Sequence, residues 1–337
     1  MPDVRKAILE AALAANRLHA SHGVKKKVKS GVGRIDVFGL LAALDIPVMF
    51  QPMKGLLGCY LEENGSGVLL TTQRPLSVQR FTAAHELGHA VMGHSSSLDD
   101  ESRLNRTPFE SGAALDLIEL QANAFASELL TPKWLITHHM GQQGWASSDL
   151  TSPKIVYQLA LRMGSSYAAT CHALLKHNAI SKSVRDSLLK TQPKSIKQQL
   201  TKQHTPESWY ADIWVLGMGD QRLLIEGSAH DIVILELIEH ASSGYMWSFD
   251  SLSKVGLKIV EDIREARSTE NAIGSIVERK IVAEPEQSAL GHVNLREQRP
   301  WLSDDESLQS LEFDVNLTGP LQTGLLPAQR QAMLSRP

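Results

Sequence analysis

Residues 80–89 read Arg-Phe-Thr-Ala-Ala-His-Glu-Leu-Gly-His and contain the pattern H-E-x-x-H, formed by His85, Glu86 and His89. On a helix, positions i and i+4 share one face, so both imidazoles can point at the same metal ion. Glu86 follows the first of them, close to the metal but available to handle a proton. Because a zinc ion held in this way activates water for attack on a carbonyl, the pattern indicates a zinc peptidase with Glu86 as its catalytic base.

A catalytic zinc ion needs a third protein ligand. The metzincin pattern H-E-x-x-H-x-x-G-x-x-H does not fit, because the chain has Met92 and Ser95 where that pattern requires Gly and His. The better candidate is Glu119, since a carboxylate on a second, facing helix completes a site with two histidines and one open position. Asn123 lies one turn further on the same face and is placed to hydrogen-bond a ligating histidine.

Three further features near this pattern leave alternatives open. Cys59 is either a redox-switchable zinc ligand or a small buried cysteine. Tyr60 or His94 either stabilises the oxyanion of the reaction or has a structural role. The apolar run Val68–Leu70 is either an edge strand that pairs with an extended substrate or an interior strand.

Two stretches together resemble the ImmA/IrrE-type metallopeptidases. The first is residues 80–89, and the second is the pattern E-x-x-A-N-x-F-A-x-x-L-L-x-P at Glu119–Pro132. The resemblance covers about residues 30–190. It implies a zinc-dependent peptidase in which the two histidines and Glu119 hold Zn²⁺ and Glu86 is the base. It also implies the substrate, a helix-turn-helix repressor or antitoxin whose cleavage derepresses genes in phage, defence, toxin–antitoxin or stress-response systems.

Length and patterning predict a multidomain α+β protein, because 337 residues exceed one ordinary core. The expected segments are a zincin-like α+β metallopeptidase domain at 1–140, a helix-turn-helix-like helical extension at 141–195, a linker at 196–207, an all-β sandwich at 208–319 and a tail at 320–337. After Trp209, short apolar runs separated by polar turns predict an antiparallel, immunoglobulin-like sandwich.

The C-terminal segment resembles chagasin-type domains, which are immunoglobulin-like sandwiches that inhibit papain-like cysteine peptidases. The resemblance spans about residues 208–319. Its three loop motifs lie at 239–247, 273–275 and 298–301, and include Gly244, Tyr245, Trp247, Arg299, Pro300 and Trp301. It departs from the family at residues 240–243, which read His-Ala-Ser-Ser where Asn-Pro-Thr-Thr is usual, and in the second loop, which lacks paired glycines.

The role of these loops stays open in the sequence. Trp247 and Trp301 are either core aromatics at the base of their loops or parts of a binding loop. Since the domain is fused to a peptidase-like unit of opposite charge, we hypothesise that it is a sensor or a substrate-docking module.

The net charge of −3 hides an asymmetry between the two halves of the chain. Residues 1–204 contain 23 Lys and Arg against 16 Asp and Glu, whereas residues 205–337 contain 11 against 21. These halves are either two domains with different solvated surfaces, or a basic surface for nucleic acid or an acidic protein that the acidic domain partly covers. In the second case the candidate nucleic-acid contacts are Lys176, Lys182, Arg185 and Lys190.

Two functions from different classes follow. The first is a regulatory zinc endopeptidase that is switched on by a signal such as DNA, single- or double-stranded, or a partner. The alternative is a non-catalytic DNA- or protein-binding regulator or antitoxin that uses the basic helical segment and an inhibitor-like C-terminal domain. Two cysteines cannot form a disulfide framework, the N-terminus lacks the apolar core of a signal peptide, and no segment has the length and apolarity of a membrane span. We therefore expect a cytoplasmic protein without a membrane segment.

Overall fold

The structure, a computed structural model, describes residues 2–62, 66–94, 97–100, 117–201, 204, 206–267, 276–302, 307–319, 323–326 and 329–330. Its helices are α1 (Pro2–Ser21), α2 (Val24–Lys27), α3 (Val37–Ala43), α4 (Leu76–Met92), α5 (Leu117–Leu130), α6 (Lys133–Gln143), α7 (Pro153–Met163), α8 (Tyr167–Lys176), α9 (Lys182–Lys190), α10 (Pro193–Thr201) and α11 (Asp250–Lys254). Its strands are β1 (Val48–Gln51), β2 (Leu56–Leu61), β3 (Gly67–Thr71), β4 (Ser97–Asp100), β5 (Ile213–Leu216), β6 (Leu223–Glu226), β7 (Ile232–Glu239), β8 (Met246–Ser248), β9 (Leu257–Arg267), β10 (Ile276–Pro285), β11 (Ala289–Gln298), β12 (Gln309–Leu317) and β13 (Gly324–Leu325). Among the described residues, no helix combines the length and apolar character that a membrane crossing requires.

The N-terminal unit is a mixed sheet covered by helices, in the strand order β13-β1-β3-β2-β4. β1 and β3 are parallel, and β2 runs antiparallel to both β3 and β4. α4 packs on β2 and β3, and α1 packs on α5 through its buried apolar stripe of Ala11, Ala15 and Leu18. Because β3 is hydrogen-bonded on both sides, Val68–Leu70 is an interior strand, and the alternative of an exposed edge does not hold.

The helical extension consists of α7, α8 and α9, followed directly by α10. Ser166 and Ser181 cap α8 and α9, each accepting a hydrogen bond from the backbone N–H three residues further on. The predicted linker at 196–207 needs correction, because residues up to Thr201 belong to α10. Ile196 is buried there, and α10 packs against α7. Lys194, Gln198 and Gln199 form the exposed polar face of this amphipathic helix, whereas Lys197 is buried.

The C-terminal unit is the expected β-sandwich, built from two four-stranded sheets, β5-β7-β10-β9 and β6-β12-β11-β8. The pairing is not antiparallel throughout, because β5 runs parallel to β7 and β6 runs parallel to β12. The core between the sheets contains apolar side chains from both, including Val233, Ile281, Val293 and Phe313. The inward-facing residues alternate along each strand, as the period of two requires.

The hydrophobic core of the helical half extends onto the outer face of one sandwich sheet, beside the separate core between the sheets. On β7, Val233 and Leu235 point into the sandwich, whereas Ile232 and Ile234 belong to the core cluster of the N-terminal half. Both faces of this strand are therefore buried, which explains its continuous apolar sequence. The sandwich is packed onto the helical extension and is not a tethered domain.

The predicted tail at 320–337 also needs correction at its described residues. Gly324 and Leu325 form β13, which pairs antiparallel with β1. The Gln329 side chain accepts a hydrogen bond from Val48 N and donates one to Ile46 O, continuing the ladder with a side chain. Leu326 is buried. The end of the chain therefore returns from the sandwich to the N-terminal sheet.

Candidate metal centre

The two predicted motifs meet because α4 and α5 are close antiparallel neighbours. Gly88 lies at the contact, where a Cβ atom would be 3.3 Å from Ala122 Cα and 3.1 Å from a ring carbon of Phe125. A larger side chain at this position would force the helices apart. Because the two helices are antiparallel, His85 faces Asn123, and His89, one turn further along α4, faces Glu119.

His85, His89 and Glu119 form a compact cluster. The two histidine Nε2 atoms are 3.0 Å apart, and the Glu119 carboxylate oxygens lie 3.3 Å from His85 Nε2 and 3.8 Å from His89 Nε2. Zinc with tetrahedral ligands at about 2.0–2.1 Å holds those ligand atoms about 3.3 Å from one another. The spacing and the donor types therefore fit Zn²⁺. Since Glu119 is 16% exposed and both imidazoles are buried, the cluster opens on the Glu119 side.

The imidazole of His85 is oriented by Asn123, the residue that the sequence suggests for this role. Asn123 Oδ1 lies 3.1 Å from His85 Nδ1. With the Nδ1–H donating to this amide oxygen, the lone pair of Nε2 is directed at the cluster. A fixed ring orientation and tautomer are what a metal ligand needs before the ion arrives.

The second imidazole is held by a chain of side chains that sequence reasoning missed. His89 Nδ1 lies 3.1 Å from His94 Nδ1, His94 Nε2 lies 3.2 Å from Gln121 Oε1, and Gln121 Nε2 donates to Glu10 Oε2 at 3.2 Å. When His89 Nδ1–H donates to His94 Nδ1, His94 Nε2–H can donate to Gln121 Oε1. Each acceptor in this series of side chains then receives one hydrogen bond. The residue in the sequence that indicates this position of His94 is Gly93. Its left-handed conformation (φ 69°) ends α4 and turns His94 back over the last turn of the helix.

Glu86 approaches the centre from a different side. It is fully buried on the face of α4 that contacts β2, whereas the imidazoles face α5. A Cβ atom on Gly58 of β2 would lie 3.1 Å from Glu86 Oε1 and 2.4 Å from the Thr82 methyl carbon. Glycine at 58 therefore leaves space for the carboxylate beside the cluster.

The loop motifs of the sandwich divide into a core aromatic and an exposed group. Trp247 is buried, and its Nε1–H donates to Ile238 O at 2.8 Å, so it is a core residue. Trp301 is 65% exposed and packs over Gly244, where a Cβ atom would lie 2.6 Å from the indole. The Arg299 guanidinium stacks on the Tyr245 ring at 4.4 Å. Pro300 is exposed in the turn between them, and the predicted second loop, 273–275, lies outside the described residues.

The four candidate nucleic-acid contacts have different surroundings. Lys176 Nζ pairs with Glu128 at 2.6 Å, and Arg185 pairs with Asp186 at 2.6 Å. Lys182 and Lys190 are exposed at the two ends of α9. Two of the four cations therefore have intramolecular carboxylate partners.

The cluster lies within a region that matches a known family. The model of the M78 peptidase family, described as the IrrE N-terminal-like domain, matches residues 42–175. That range contains the two histidines, Glu86, Glu119 and Asn123. Residues 42–175 are therefore similar to IrrE-type metallopeptidase domains. No curated protein sequence matches the chain.

Two solved structures are similar to a smaller part of the chain. The cysteine protease inhibitor EhICP2 from Entamoeba histolytica is 22% identical over 32% of this chain and 97% of its own, with a TM-score of 0.30. Amebosin is 20% identical over 31% of this chain and 96% of its own, with a TM-score of 0.23.

Two other predicted residues of the peptidase domain lie on β2. The Tyr60 side chain is buried, and its hydroxyl lies 3.2 Å from the Ser66 hydroxyl, which is the structural alternative for this residue. Cys59 is buried as well, and it is not among the described residues that form the metal cluster. Its environment fits the alternative of a small buried cysteine.

The peptidase domain is joined to the sandwich at the metal-binding helix itself. Arg80 of α4 and Arg34 both bind the carboxylate of Glu226, at the end of β6. Burial, with the neighbouring Arg34, lowers the pKa of Arg80 to about 9, and Glu226 opposes this shift. A second buried pair, Arg162 with Asp220, lies 2.8 Å apart at the same interface. Basic residues of the N-terminal half thus meet acidic residues of the C-terminal half.

Proposed function

We propose that this protein is a zinc-dependent endopeptidase that cleaves one cognate regulatory protein. The observation that carries the proposal is the convergence of His85, His89 and Glu119 at ligand spacing, with Glu86 next to the first of them in the sequence, inside a region similar to the IrrE N-terminal-like domain.

The residues of the chain divide the chemical work between them. The two histidines and Glu119 would hold Zn²⁺, which when bound supplies Lewis-acid activation of water and of the peptide carbonyl. Glu86 takes the proton of the attacking water on its carboxylate and delivers it to the nitrogen of the leaving amine. The bonds from Asn123 and His94 keep both imidazoles oriented during these steps.

The proposed substrate is a helix-turn-helix repressor or antitoxin, and the proposed trigger is DNA or a partner protein. The proposed substrate is supported by the similarity of residues 42–175 to the IrrE-type family, and the proposed setting is a phage, defence, toxin–antitoxin or stress-response system. The trigger is supported by the charge of residues 150–204, which contain nine Lys and Arg but only one acidic residue, Asp186. Lys182 and Lys190 are exposed cations of this segment with no carboxylate partner among the described residues, and we propose them as phosphate contacts.

We also propose that the sandwich is a sensor or docking module. The support is the exposed group of Trp301, Arg299 and Tyr245 at one end of a domain whose other contacts reach the metal-binding helix through Glu226. Trp301→Ala is expected to weaken recognition of the partner while leaving zinc binding intact. Unchanged cleavage and unchanged activation of the partner by this variant would exclude the role.

The deciding experiment uses Glu86→Gln in the full chain. The protein is incubated with the product of a neighbouring repressor-like gene, with zinc or with a chelator, and with single-stranded DNA added or omitted. Wild type with zinc should cleave, and the variant should bind zinc in a one-to-one ratio without cleaving. Glu286→Gln, which alters an exposed glutamate of the sandwich, serves as the control and should cleave normally. Cleavage by Glu86→Gln would show that the mechanism is wrong.

A further inference from the structure

A groove lies beside the N-terminal half of α4, and its nearest lining residue on this helix, Phe81, is one turn before His85. Its volume is about 450 Å³, within the range of sites that bind ligands. We name it the α4–α5 groove, and it is lined by Leu57 of β2, Val78 and Phe81 of α4, Ser127 and Leu130 of α5, and Ala169 of α8. The peptidase sheet, the metal-binding helices and the helical extension each supply part of this wall.

The groove continues the metal centre along both helices. On α4, Val78 and Phe81 share a face with His85, because they precede it by seven and four residues. On α5, Ser127 follows Asn123 by four residues, and Asn123 holds His85. At 1.5 Å per residue, Phe81 lies about 6 Å along the helix axis from His85. A polypeptide bound across the metal centre therefore reaches the groove directly.

The lining favours an apolar side chain. Leu57 and Leu130 are buried, and Val78 and Phe81 are half-buried, so the floor is apolar. Hydroxyl side chains, His172 and Arg74 also line the groove. An apolar side chain gains free energy when the apolar floor removes it from water.

We propose that the α4–α5 groove is the specificity pocket of the peptidase domain and takes an apolar side chain of a polypeptide substrate. An extended chain advances about 3.3 Å per residue. The offset of about 6 Å from His85 thus places this side chain about two residues from the scissile bond. The inference rests on the proposed peptidase function, and it gives α8 a role in substrate binding through Ala169.

The test uses zinc-loaded full chain and an equimolar library of randomised ten-residue peptides, with the cleavage sites read by mass spectrometry. In parallel, the Glu86→Gln chain is used to enrich peptides from the same library by binding. We expect Leu, Met or Phe to exceed Ala by at least about 10-fold at the position two residues from the cut. The same residues should be enriched among the peptides that bind.

One variant probes the groove itself. Ala169→Trp fills it from the α8 side, and the apolar preference should fall at least about 10-fold in both cleavage and binding. The matched control is Ala20→Trp, at an exposed position on α1 outside the groove, which should behave as wild type.

The outcomes separate this inference from the peptidase function. Cleavage without an apolar preference, or an Ala169→Trp chain with wild-type preferences, overturns the pocket but leaves the peptidase. Apolar enrichment by Glu86→Gln that Ala169→Trp abolishes, without cleavage by wild type, supports the pocket and overturns the peptidase. Neither cleavage nor enrichment overturns both.

Discussion

Removal of the acceptor behind His89 should weaken zinc binding. His94 Nδ1 lies 3.1 Å from His89 Nδ1, the same distance that separates Asn123 from His85, so each outer contact holds one ligand. Loss of such a contact typically costs 10–100-fold in metal affinity. We therefore expect His94→Ala to raise the dissociation constant for zinc by about 10–100-fold, or about 1.4–2.7 kcal/mol. Asn123→Ala should have an effect of similar size.

The assay is competition between the metal-free full chain and a chromophoric chelator for zinc at fixed pH. His94→Asn keeps an acceptor oxygen near the place of Nδ1 but loses the contact with Gln121, and it should bind zinc almost as well as wild type. His292→Ala, at an exposed histidine of the sandwich, controls for the loss of any imidazole. Unchanged zinc affinity in His94→Ala would refute the reasoning, and so would equal weakening in His94→Asn.

Three further substitutions test other parts of the structure. Gly58→Ala places a Cβ atom against the Thr82 methyl group and near Glu86. It should lower the free energy of unfolding by about 1–3 kcal/mol and reduce cleavage. The control is Gly141→Ala, whose Cβ atom meets no atom within 4 Å, and it should change neither stability nor cleavage. Glu226→Gln leaves the buried Arg34 and Arg80 without their carboxylate partner. It should lower the free energy of unfolding, measured with urea, by about 3 kcal/mol. A change smaller than the error of the measurement would contradict the ion-pair geometry. Burial, followed by the nearby Asp212, raises the pKa of Asp231 from 3.8 to about 7. Because the folded state therefore binds this proton more tightly than the unfolded state, the free energy of unfolding of wild type should fall by about 2 kcal/mol between pH 5 and pH 7. Asp231→Asn should remove most of this pH dependence, and an unaltered pH dependence would exclude Asp231 as its source.

Local sequence patterns were sufficient for the helices that carry the metal ligands. The spacing of His85 and His89 predicts a shared helical face. Short apolar runs separated by polar turns after Trp209 predict the sandwich strands. These signals are local, because each depends on residues within one or two turns of each other.

The same patterns failed where a segment is defined by what it packs against. Residues 196–201 resemble a polar linker until α7 covers Ile196, and Gly324–Leu325 resemble a tail until β1 supplies a hydrogen-bonding edge. The role of His94 was missed for the same reason. Its partner, Gln121, lies 27 residues away on another helix, and only the packing of α4 on α5 brings the two together.

The sequence by itself identified the H-E-x-x-H pattern, the candidate third ligand Glu119 and the division into a basic helical half and an acidic β half. The tertiary structure decided how these parts work together. It closed the α4–α5 contact at Gly88, which sets the ligand spacing, and it anchored the sandwich to the metal-binding helix through Glu226. The physical reason is that side-chain type and periodicity are properties of neighbouring residues. Ligand distances, buried ion pairs and a groove arise only when surfaces far apart in the chain are packed together.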